Sequence, residues 1–217
     1  RPLHCKKSTF ALKKLKTTLT KLKTLKFPNS FYQEKKMTDN KILDDAIRRV
    51  PDFPKKGILF YDITSVLTNP KAFKWCLDKM YEIYKAKFDE GKIDAIASVE
   101  SRGFLFAAPL AEKLGIPLVL IRKKGKLPGD VYRASYDLEY GSAEIEVHKA
   151  DIKPGQKFLL IDDLIATGGT LTAGKKLISQ GQAEVTEIFG IIGLPDLKYR
   201  EVLAPVNVTT LIDFHGA

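Results

Sequence analysis

Two carboxylates and a turn rich in glycine and hydroxyl groups stand close together in segment 158–171, FLLIDDLIATGGTL. Asp162 and Asp163 can accept hydrogen bonds from adjacent hydroxyl groups of a sugar. Just beyond them, backbone N–H groups and threonine hydroxyls can close around a phosphate at the start of a helix, whose dipole favours an anion. The candidate phosphate ligands are Ala166, Thr167, Gly168, Gly169 and Thr170. One loop could therefore hold a phosphate and the sugar that carries it.

The same segment disfavours two common nucleotide-binding motifs. A Walker loop requires a lysine before its final hydroxyl residue, whereas Gly169 precedes Thr170 here, and a dinucleotide fingerprint requires G-x-G-x-x-G. The plainer alternative is a tight turn after a solvated strand end. The combination of an apolar strand, paired acids and Thr-Gly-Gly-Thr favours the phosphate site over that alternative.

The rest of the chain supplies the elements that would position this loop. Short, mostly apolar runs rich in β-forming residues, typical of buried parallel strands, lie at 93–99, 116–122, 158–162, 185–192 and 206–212. Helical periodicity is found at 39–50, 70–88, 103–114 and 169–180. This alternation predicts a doubly wound α/β fold, in which helices cover both faces of a parallel sheet. Ligands bind such sheets at the carboxyl ends of the strands, so the loops after Val99 and Ile161 should converge.

Segment 123–157 departs from this pattern. It is polar, contains several Gly and Pro residues, and alternates Ala143, Ile145 and Val147 with polar residues. Such alternation predicts a β-hairpin, and the composition and length predict mobility. We expect residues of about 123–150 to form a mobile lid hairpin over the carboxyl edge of the sheet.

The net charge of the chain is concentrated near its start. The 36 Lys and Arg residues outnumber the 26 Asp and Glu residues by +10, and residues 1–36, with eleven basic residues and one acidic residue, hold all of this excess. Residues 37–217 are formally neutral, so the basic pI does not indicate a nucleic-acid partner. Leucines spaced three or four apart among the lysines indicate a basic amphipathic helix, typical of an organelle-targeting peptide or a membrane-surface helix. The alternative is a disordered extension ahead of a start at Met37.

The composition disfavours several other classes of protein. Cys5 and Cys76 lack the neighbours of a disulfide framework or a zinc site, which favours a reducing, cytoplasmic compartment. No run approaches the ~18 apolar residues needed to cross a bilayer. We therefore expect a soluble cytoplasmic protein with no membrane span, unless residues 1–36 direct it to an organelle.

Segment 158–171 resembles the 5-phosphoribosyl-1-pyrophosphate (PRPP) loop of the type I phosphoribosyltransferases. Three more stretches resemble the adenine phosphoribosyltransferases in particular: PDFPKKGILFYDIT at 51–64, ESRGFLF at 100–106, and RKKGKLPG with ASYDLEYG between 122 and 141. The likeness covers nearly all of 39–217 and none of 1–36. It implies a phosphoribosyltransferase domain at 37–217, with the predicted parallel sheet, a small hood at about 39–64 and the lid.

The resemblance also implies roles for the residues that bind the two anions of PRPP. The two carboxylates of segment 158–171 would hold the ribose hydroxyls, and its glycine-rich turn would bind the 5-phosphate. Arg102 would bind pyrophosphate, next to Ser101 and a cis peptide bond between Glu100 and Ser101. Lys126 would reach the same pyrophosphate with help from Arg122. For Arg102, the plainer alternative is a surface salt bridge.

The base and the chemistry are assigned to the hood and the lid. Phe60 would stack on the purine, and backbone groups of Leu59 and Tyr61 would read its edge; the alternative for Phe60 is core packing. Family members often carry Arg where this chain has Tyr61, which leaves a side-chain role there open. On the lid, Glu139 would handle the proton of the base as N9 attacks C1 of the ribose, and Tyr140 would help close the site.

The implied reaction converts adenine and PRPP into AMP and pyrophosphate, with Mg²⁺ bound mainly through the substrate and with no dedicated metal cluster in the protein. The family implies a homodimer. Two rival functions remain at this point. One is a non-catalytic regulator that uses the phosphoribosyl loop for sensing, and the other is an enzyme that acts on another base, such as hypoxanthine or orotate.

Overall fold

The computed structural model of the chain describes residues 40–137 and 142–216. The predictions made for residues 1–36, and for the lid residues Glu139 and Tyr140, therefore lie outside the described residues. Within the two described ranges, no helix combines the length and the apolar character needed to span a bilayer.

A seven-stranded sheet organises the described chain, and two short strands pair with each other outside it. The strands are β1 Arg48–Pro51, β2 Leu59–Asp62, β3 Ala95–Val99, β4 Leu118–Lys123, β5 Val131–Asp137, β6 Ser142–His148, β7 Lys157–Ile165, β8 Glu184–Gly193 and β9 Asn207–Asp213. The large sheet has the order β5-β6-β4-β3-β7-β8-β9. Its strands β4, β3, β7, β8 and β9 are parallel, as predicted, whereas β5 and β6 form an antiparallel hairpin that extends the sheet beyond β4.

The helices begin and end at residues suited to those positions. They are α1 Lys41–Ala46, α2 Thr64–Leu67, α3 Pro70–Asp89, α4 Phe104–Leu114, α5 Gly169–Gln180 and α6 Tyr199–Leu203. The side chain of Asn69 accepts a hydrogen bond from the Ala72 N–H at 3.2 Å and Pro70 occupies the first turn of α3, a pairing that starts a helix well. Gly115 ends α4 in the left-handed conformation, with φ 69°.

Helices cover both faces of the large sheet, which confirms the predicted doubly wound architecture. Alternate residues of the central strands point to opposite faces. Ile96 joins a core with Met80 of α3 and Phe106 of α4, whereas Ala97 joins a second core with Leu177 of α5. The carboxyl ends of β3, β4 and β7 are thereby held side by side at one edge of a rigid sheet.

The helix predicted over 39–50 is wrong in its second half. Helix α1 stops at Ala46, Ile47 adopts an extended conformation, and Arg48–Pro51 pairs antiparallel with Leu59–Asp62. Ile47 and Val50 fit a helical face, but the pairing with β2 satisfies backbone groups that a helix ending at Pro51 would leave open. The segment predicted to be a hood thus consists of one short helix and a two-stranded sheet.

This hood segment packs against the last strand of the chain. The Asn40 side-chain amide donates to the Leu211 carbonyl at 2.9 Å. The ring of Tyr61 stacks on Phe214 with centroids 4.1 Å apart and planes 2° apart, and the guanidinium of Arg49 lies over the Phe214 ring at 5.1 Å. The hood is therefore fixed to the carboxyl end of β9.

Candidate active site

Strand β7 carries the paired carboxylates further than predicted. We expected the strand to end at Asp162, but it continues to Ile165, because Leu164 and Ile165 still pair with Ile192 and Gly193 of β8. Asp163 is buried, with 4% exposure, while Asp162 is partly exposed. The two adjacent carboxylates consequently have different surroundings.

Arg102 is joined to Asp163 rather than standing alone. It follows β3, the strand next to β7, and its Nε donates to Asp163 Oδ2 at 2.7 Å. Burial opposes the charged form of Arg102, but the hydrogen bond and the charge of Asp163 outweigh it and raise the pKa of the guanidinium. About half of the Arg102 side chain remains exposed. A permanent cation is therefore held in a fixed place at the sheet edge, with part of its surface open to a ligand.

Asp162 has the most perturbed environment in this group. Burial, followed by the negative charge of Asp163, raises the pKa of the Asp162 carboxyl well above its ordinary value of 3.8. Its Oδ1 accepts a hydrogen bond from the Asp163 N–H at 2.9 Å. The ionised form of such a carboxyl would be stabilised by hydroxyl groups that donate hydrogen bonds to it or by a nearby cation.

A glycine brings the loop after β3 against β7. A Cβ atom on Gly103 would lie 2.7 Å from Ser98 Oγ, 3.2 Å from Asp162 Cα and 3.2 Å from the Ile161 carbonyl oxygen. Ser98 is buried and donates to the same Ile161 carbonyl at 2.9 Å. Only a residue without a side chain fits between α4 and β7 here.

The predicted phosphate loop follows β7 directly and opens helix α5. Gly168 is left-handed, with φ 83°, and no side chain caps the helix, so the N–H groups of the first turn are available for an anion. Thr167 is exposed, and its Oγ1 lies 3.5 Å from the Gly169 nitrogen. A cavity of about 90 Å³ is lined by Asp162 together with residues 164–171.

Arg122 and Glu100 form a second ion pair at the adjacent strand end. Arg122, on β4, donates from Nε to Glu100 Oε2 at 2.9 Å, and the Lys123 N–H donates to the same oxygen at 2.9 Å. The Lys123 N–H and then the Arg122 guanidinium hold the pKa of the Glu100 carboxyl below its usual value. The Glu100–Ser101 peptide bond is cis, as the resemblance implied, and Ser101 is exposed.

Lys126 lies in the loop between β4 and β5, and the sheet holds its backbone. Glu146 of β6, which is fully buried, accepts hydrogen bonds from the N–H groups of Lys126 and Leu127 at 2.9 and 3.0 Å. The Lys126 side chain itself is exposed. Lys124 of the same loop forms an ion pair with Glu144.

The three residues proposed for the base differ in what their side chains can do. Phe60 is partly exposed, and its ring makes an edge contact with Phe53, with centroids 5.1 Å apart. Tyr61 is buried at 5% exposure, and its ring is stacked on Phe214, so its side chain faces the protein. Leu59 is partly buried. Of the two rings, only that of Phe60 is free to meet a ligand.

Several residues of this region were not predicted. Gly103, Glu146 and Phe214 position site elements, and Asp62 at the end of β2 accepts from the Thr64 hydroxyl at 2.6 Å and pairs with Arg48. The Thr64 hydroxyl is the main influence that lowers the pKa of Asp62. Only Gly103 carried a sequence signal, since a glycine directly after a strand end and before a helix indicates close backbone approach.

The arrangement suits a sugar phosphate with a second anionic group. The Asp162 carboxyl lies near the end of β7, the open start of α5 follows it, and the half-exposed Arg102 guanidinium follows the adjacent strand β3. The family model for the phosphoribosyl transferase domain matches residues 62–213, which include all of these features. The chain belongs to the phosphoribosyltransferase family.

Within that family, two similar proteins from the genus Treponema are adenine phosphoribosyltransferases. An adenine phosphoribosyltransferase from Treponema denticola is 62% identical over 175 residues, which span 81% of this chain and 90% of that protein. An adenine phosphoribosyltransferase from Treponema pallidum is 56% identical over 173 residues, or 80% of this chain and 89% of that protein.

Solved structures agree with this placement. The Saccharomyces cerevisiae adenine phosphoribosyltransferase, crystallised with adenine and an imino-altritol bisphosphate, superposes with a TM-score of 0.77 at 39% identity and covers 81% of this chain and 99% of its own. The Trypanosoma brucei enzyme, crystallised with AMP, pyrophosphate and ribose-5-phosphate, gives a TM-score of 0.74 at 29% identity and covers 81% and 79% of the two chains.

Proposed function

We propose that this protein is an adenine phosphoribosyltransferase, which converts adenine and PRPP into AMP and pyrophosphate in purine salvage. The observation that carries the proposal is the continuous run from Asp162 through the open start of α5, with Arg102 fixed beside it on Asp163. The identity of 62% to an adenine phosphoribosyltransferase over most of the chain supports the same substrate.

PRPP lies along the strand ends in this proposal. The 5-phosphate is bound by the N–H groups and hydroxyls of the loop, namely Ala166, Thr167, Gly168, Gly169 and Thr170. Asp162 accepts hydrogen bonds from the ribose hydroxyls, which would relieve the cost of its buried charge. Asp163 also binds the ribose hydroxyls, and its hydrogen bond from Arg102 orients that guanidinium.

Pyrophosphate is bound on the side of β3 and β4. Arg102 offers its exposed half to the leaving group, next to the exposed Ser101. Lys126 adds a second cation from the β4–β5 loop. Arg122 has a supporting role near pyrophosphate, because its Nε already donates a hydrogen bond to Glu100. Charge-assisted contacts of this kind stabilise the charge that builds up as pyrophosphate departs.

The base is held by the hood and is activated by the lid. Phe60 stacks on adenine, while backbone groups of Leu59 and Tyr61 distinguish it from hypoxanthine. N9 of adenine attacks C1 of the ribose as the bond from C1 to the pyrophosphate oxygen breaks, and Glu139 takes the proton from the base. Tyr140 closes the site and excludes water.

Mg²⁺ fits the proposed site through a small number of protein oxygens. Among residues 40–137 and 142–216, no group of three or more His, Cys, Asp or Glu side chains is arranged as a metal cage. The Asp162 carboxyl is a ligand of the type that Mg²⁺ prefers, and the ion would be held mainly by substrate oxygens with this carboxyl beside them. When bound, the ion offsets the negative charge of pyrophosphate.

Assembly and location complete the proposal. We expect a homodimer, in keeping with the family, which sedimentation equilibrium would reveal as twice the mass of the 24.3 kDa chain. A cytoplasmic location agrees with the reduced, buried thiol of Cys76. Cell fractionation would distinguish it from an organelle.

The first experiment compares adenine, hypoxanthine, guanine and orotate as substrates of the purified full chain with PRPP and Mg²⁺. We expect AMP from adenine, with the other bases turned over at least about 100-fold more slowly, since a site built on backbone donors and acceptors rejects mismatched bases strongly. Glu139→Gln should reduce kcat by about 10²-fold or more.

The matched control is Glu184→Gln, because Glu184 is an exposed carboxylate at the amino end of β8, away from the strand ends of the site. Its kcat should equal that of the unmodified protein. Turnover of a different base would replace the proposed substrate. Tight PRPP binding without turnover of any base would instead identify a regulator.

A further inference from the structure

Glu146 is a buried carboxylate without a role in the proposed reaction. Its exposure is 0%, and among the described residues only Ser98, Glu146 and Asp163 are buried polar or charged side chains. Burying a charge is unfavourable unless hydrogen bonds compensate for it. Its neighbours on β6, Ile145 and Val147, are apolar core residues, so an apolar side chain at position 146 would give a simpler strand.

The hydrogen bonds that compensate for this burial come from one loop and one arginine. Oε1 accepts from the Lys126 and Leu127 N–H groups at 2.9 and 3.0 Å, and Oε2 lies 3.4 Å from Arg133 Nε. Burial opposes ionisation, but the hydrogen bonds, foremost that from Leu127, hold the pKa of Glu146 below its ordinary value. The carboxylate is thus a fixed anion that points at the loop between β4 and β5.

Glu146 binds the middle of this loop beyond the end of the regular strand pairing. Regular pairing of β4 with β6 ends at Lys123 and Ile145. In the loop that follows, the Lys126 N–H donates to the Lys123 carbonyl at 3.2 Å, a contact within the loop itself. The hydrogen bonds from Lys126 and Leu127 to Glu146 connect the middle of the loop to the sheet. One of the two N–H groups fixed in this way belongs to Lys126, whose ammonium group is proposed to meet pyrophosphate.

We propose that Glu146 is a positioning residue for pyrophosphate: it fixes the backbone of Lys126 and Leu127 and thereby sets where the Lys126 ammonium group stands. The inference rests on the proposed role of Lys126. It differs from that role in a measurable way, because Glu146 is buried and acts only through the loop.

The test compares Glu146→Gln with Lys126→Ala in the full chain, by titration with pyrophosphate and with ribose-5-phosphate. Gln keeps the shape of the side chain but loses the charge that strengthens both loop bonds. We expect pyrophosphate affinity and the KM for PRPP to weaken by about tenfold or more, a change of the order produced by one charge-assisted hydrogen bond. Affinity for ribose-5-phosphate and the KM for adenine should stay within about twofold, since the phosphate loop of β7 and α5 is untouched.

Glu187→Gln is the control for a purely structural loss. Glu187 lies on β8, its side chain is 12% exposed, and it pairs with Lys87 and Asn207 away from the loop. This variant should lose stability without any change in pyrophosphate affinity. If Glu146→Gln does not fold, Glu146→Asp retains the buried charge, withdraws it from the loop, and should show the same selective loss.

A double-mutant cycle separates the two proposals. If Glu146 acts through Lys126, adding Glu146→Gln to Lys126→Ala should weaken pyrophosphate binding by less than about twofold further. Additive effects, or a Glu146→Gln protein with unchanged pyrophosphate affinity, would overturn the positioning role while leaving the role of Lys126 intact. Unchanged affinity in Lys126→Ala alone would overturn the role of Lys126 itself.

Discussion

Gly103→Ala tests whether the loop after β3 approaches β7 as closely as the structure indicates. Gly103 has φ −54° and ψ −32°, a conformation that alanine adopts freely, so the substitution introduces no backbone strain. The added Cβ would lie 2.7 Å from Ser98 Oγ and 3.2 Å from both Asp162 Cα and the Ile161 carbonyl oxygen. Two of these three atoms belong to the backbone of β7, which cannot turn aside as a side-chain tip can.

The expected cost follows from these contacts. Overpacking of this kind costs about 1–3 kcal/mol, and because Gly103 is the N-cap of α4, the helix propensity of alanine offsets little of this cost. A loss of about 1–3 kcal/mol corresponds to a Tm about 2–12 °C lower for a domain of this size. Because the strain is relieved by moving the backbone at Asp162, the KM for PRPP should also rise by about threefold to tenfold.

Thermal unfolding and steady-state kinetics of two further variants make the test specific. In Gly174→Ala, within α5, the new Cβ would meet Leu160 Cδ2 at 3.1 Å and other side-chain ends, which can shift, so Tm and KM should change little. Ser98→Ala combined with Gly103→Ala removes the nearest clash and should recover part of the loss. A Gly103→Ala protein that matches Gly174→Ala in both Tm and KM would refute the close approach.

Three other substitutions test the charges and the base site. Asp162→Asn should raise Tm at neutral pH but weaken PRPP binding. Because the folded pKa of Asp162 is raised, the folded state binds more protons than the unfolded state between pH 3.8 and the folded pKa. The free energy of unfolding of the unmodified protein therefore falls as pH rises through this range. Denaturation measured across the range should show a smaller fall for Asp162→Asn. Arg102→Ala should destabilise the protein by about 1–3 kcal/mol, which is less than the cost of breaking a fully buried ion pair, because half of the Arg102 side chain is exposed. Adding Asp163→Asn to this variant should restore the free energy of unfolding but not turnover. Phe60→Ala should raise the KM for adenine by about tenfold or more with little change in the KM for PRPP, as lost base stacking would in an initial-rate assay.

The parallel sheet could be predicted because its strands are buried on both faces. Runs such as 158–161 and 188–192 are continuously apolar, and the helix between them has a clear apolar face. The hood could not be predicted in the same way. Ile47 and Val50 satisfy a helical pattern, and the partner that makes 48–51 a strand lies after an intervening turn, at Leu59–Asp62. Local periodicity does not contain such pairings.

The site residues that could be predicted are those whose polar side chains or glycines come directly after an apolar strand. The phosphate loop and Arg102 were found because hydroxyls, glycines and a cation follow apolar strands. Glu146 was missed because Glu144 and Glu146 alternate with core residues and look like a solvent-facing edge. The loop that covers this face comes from a different part of the chain, so nothing in the local sequence indicates burial.

The contact between the hood and the last strand has a consequence for how the protein is made. The bond from Asn40 to Leu211 joins residues 171 positions apart, and the Tyr61–Phe214 stack closes a similar span. Closing a loop of this length costs conformational entropy before the contact can form. A ribosome-bound chain could complete its first strands and helices, yet it could not seat Phe60 beside the other site residues until β9 had emerged. Hydrogen exchange should accordingly show the amides of β1 and β2 opening in one step with those of β9.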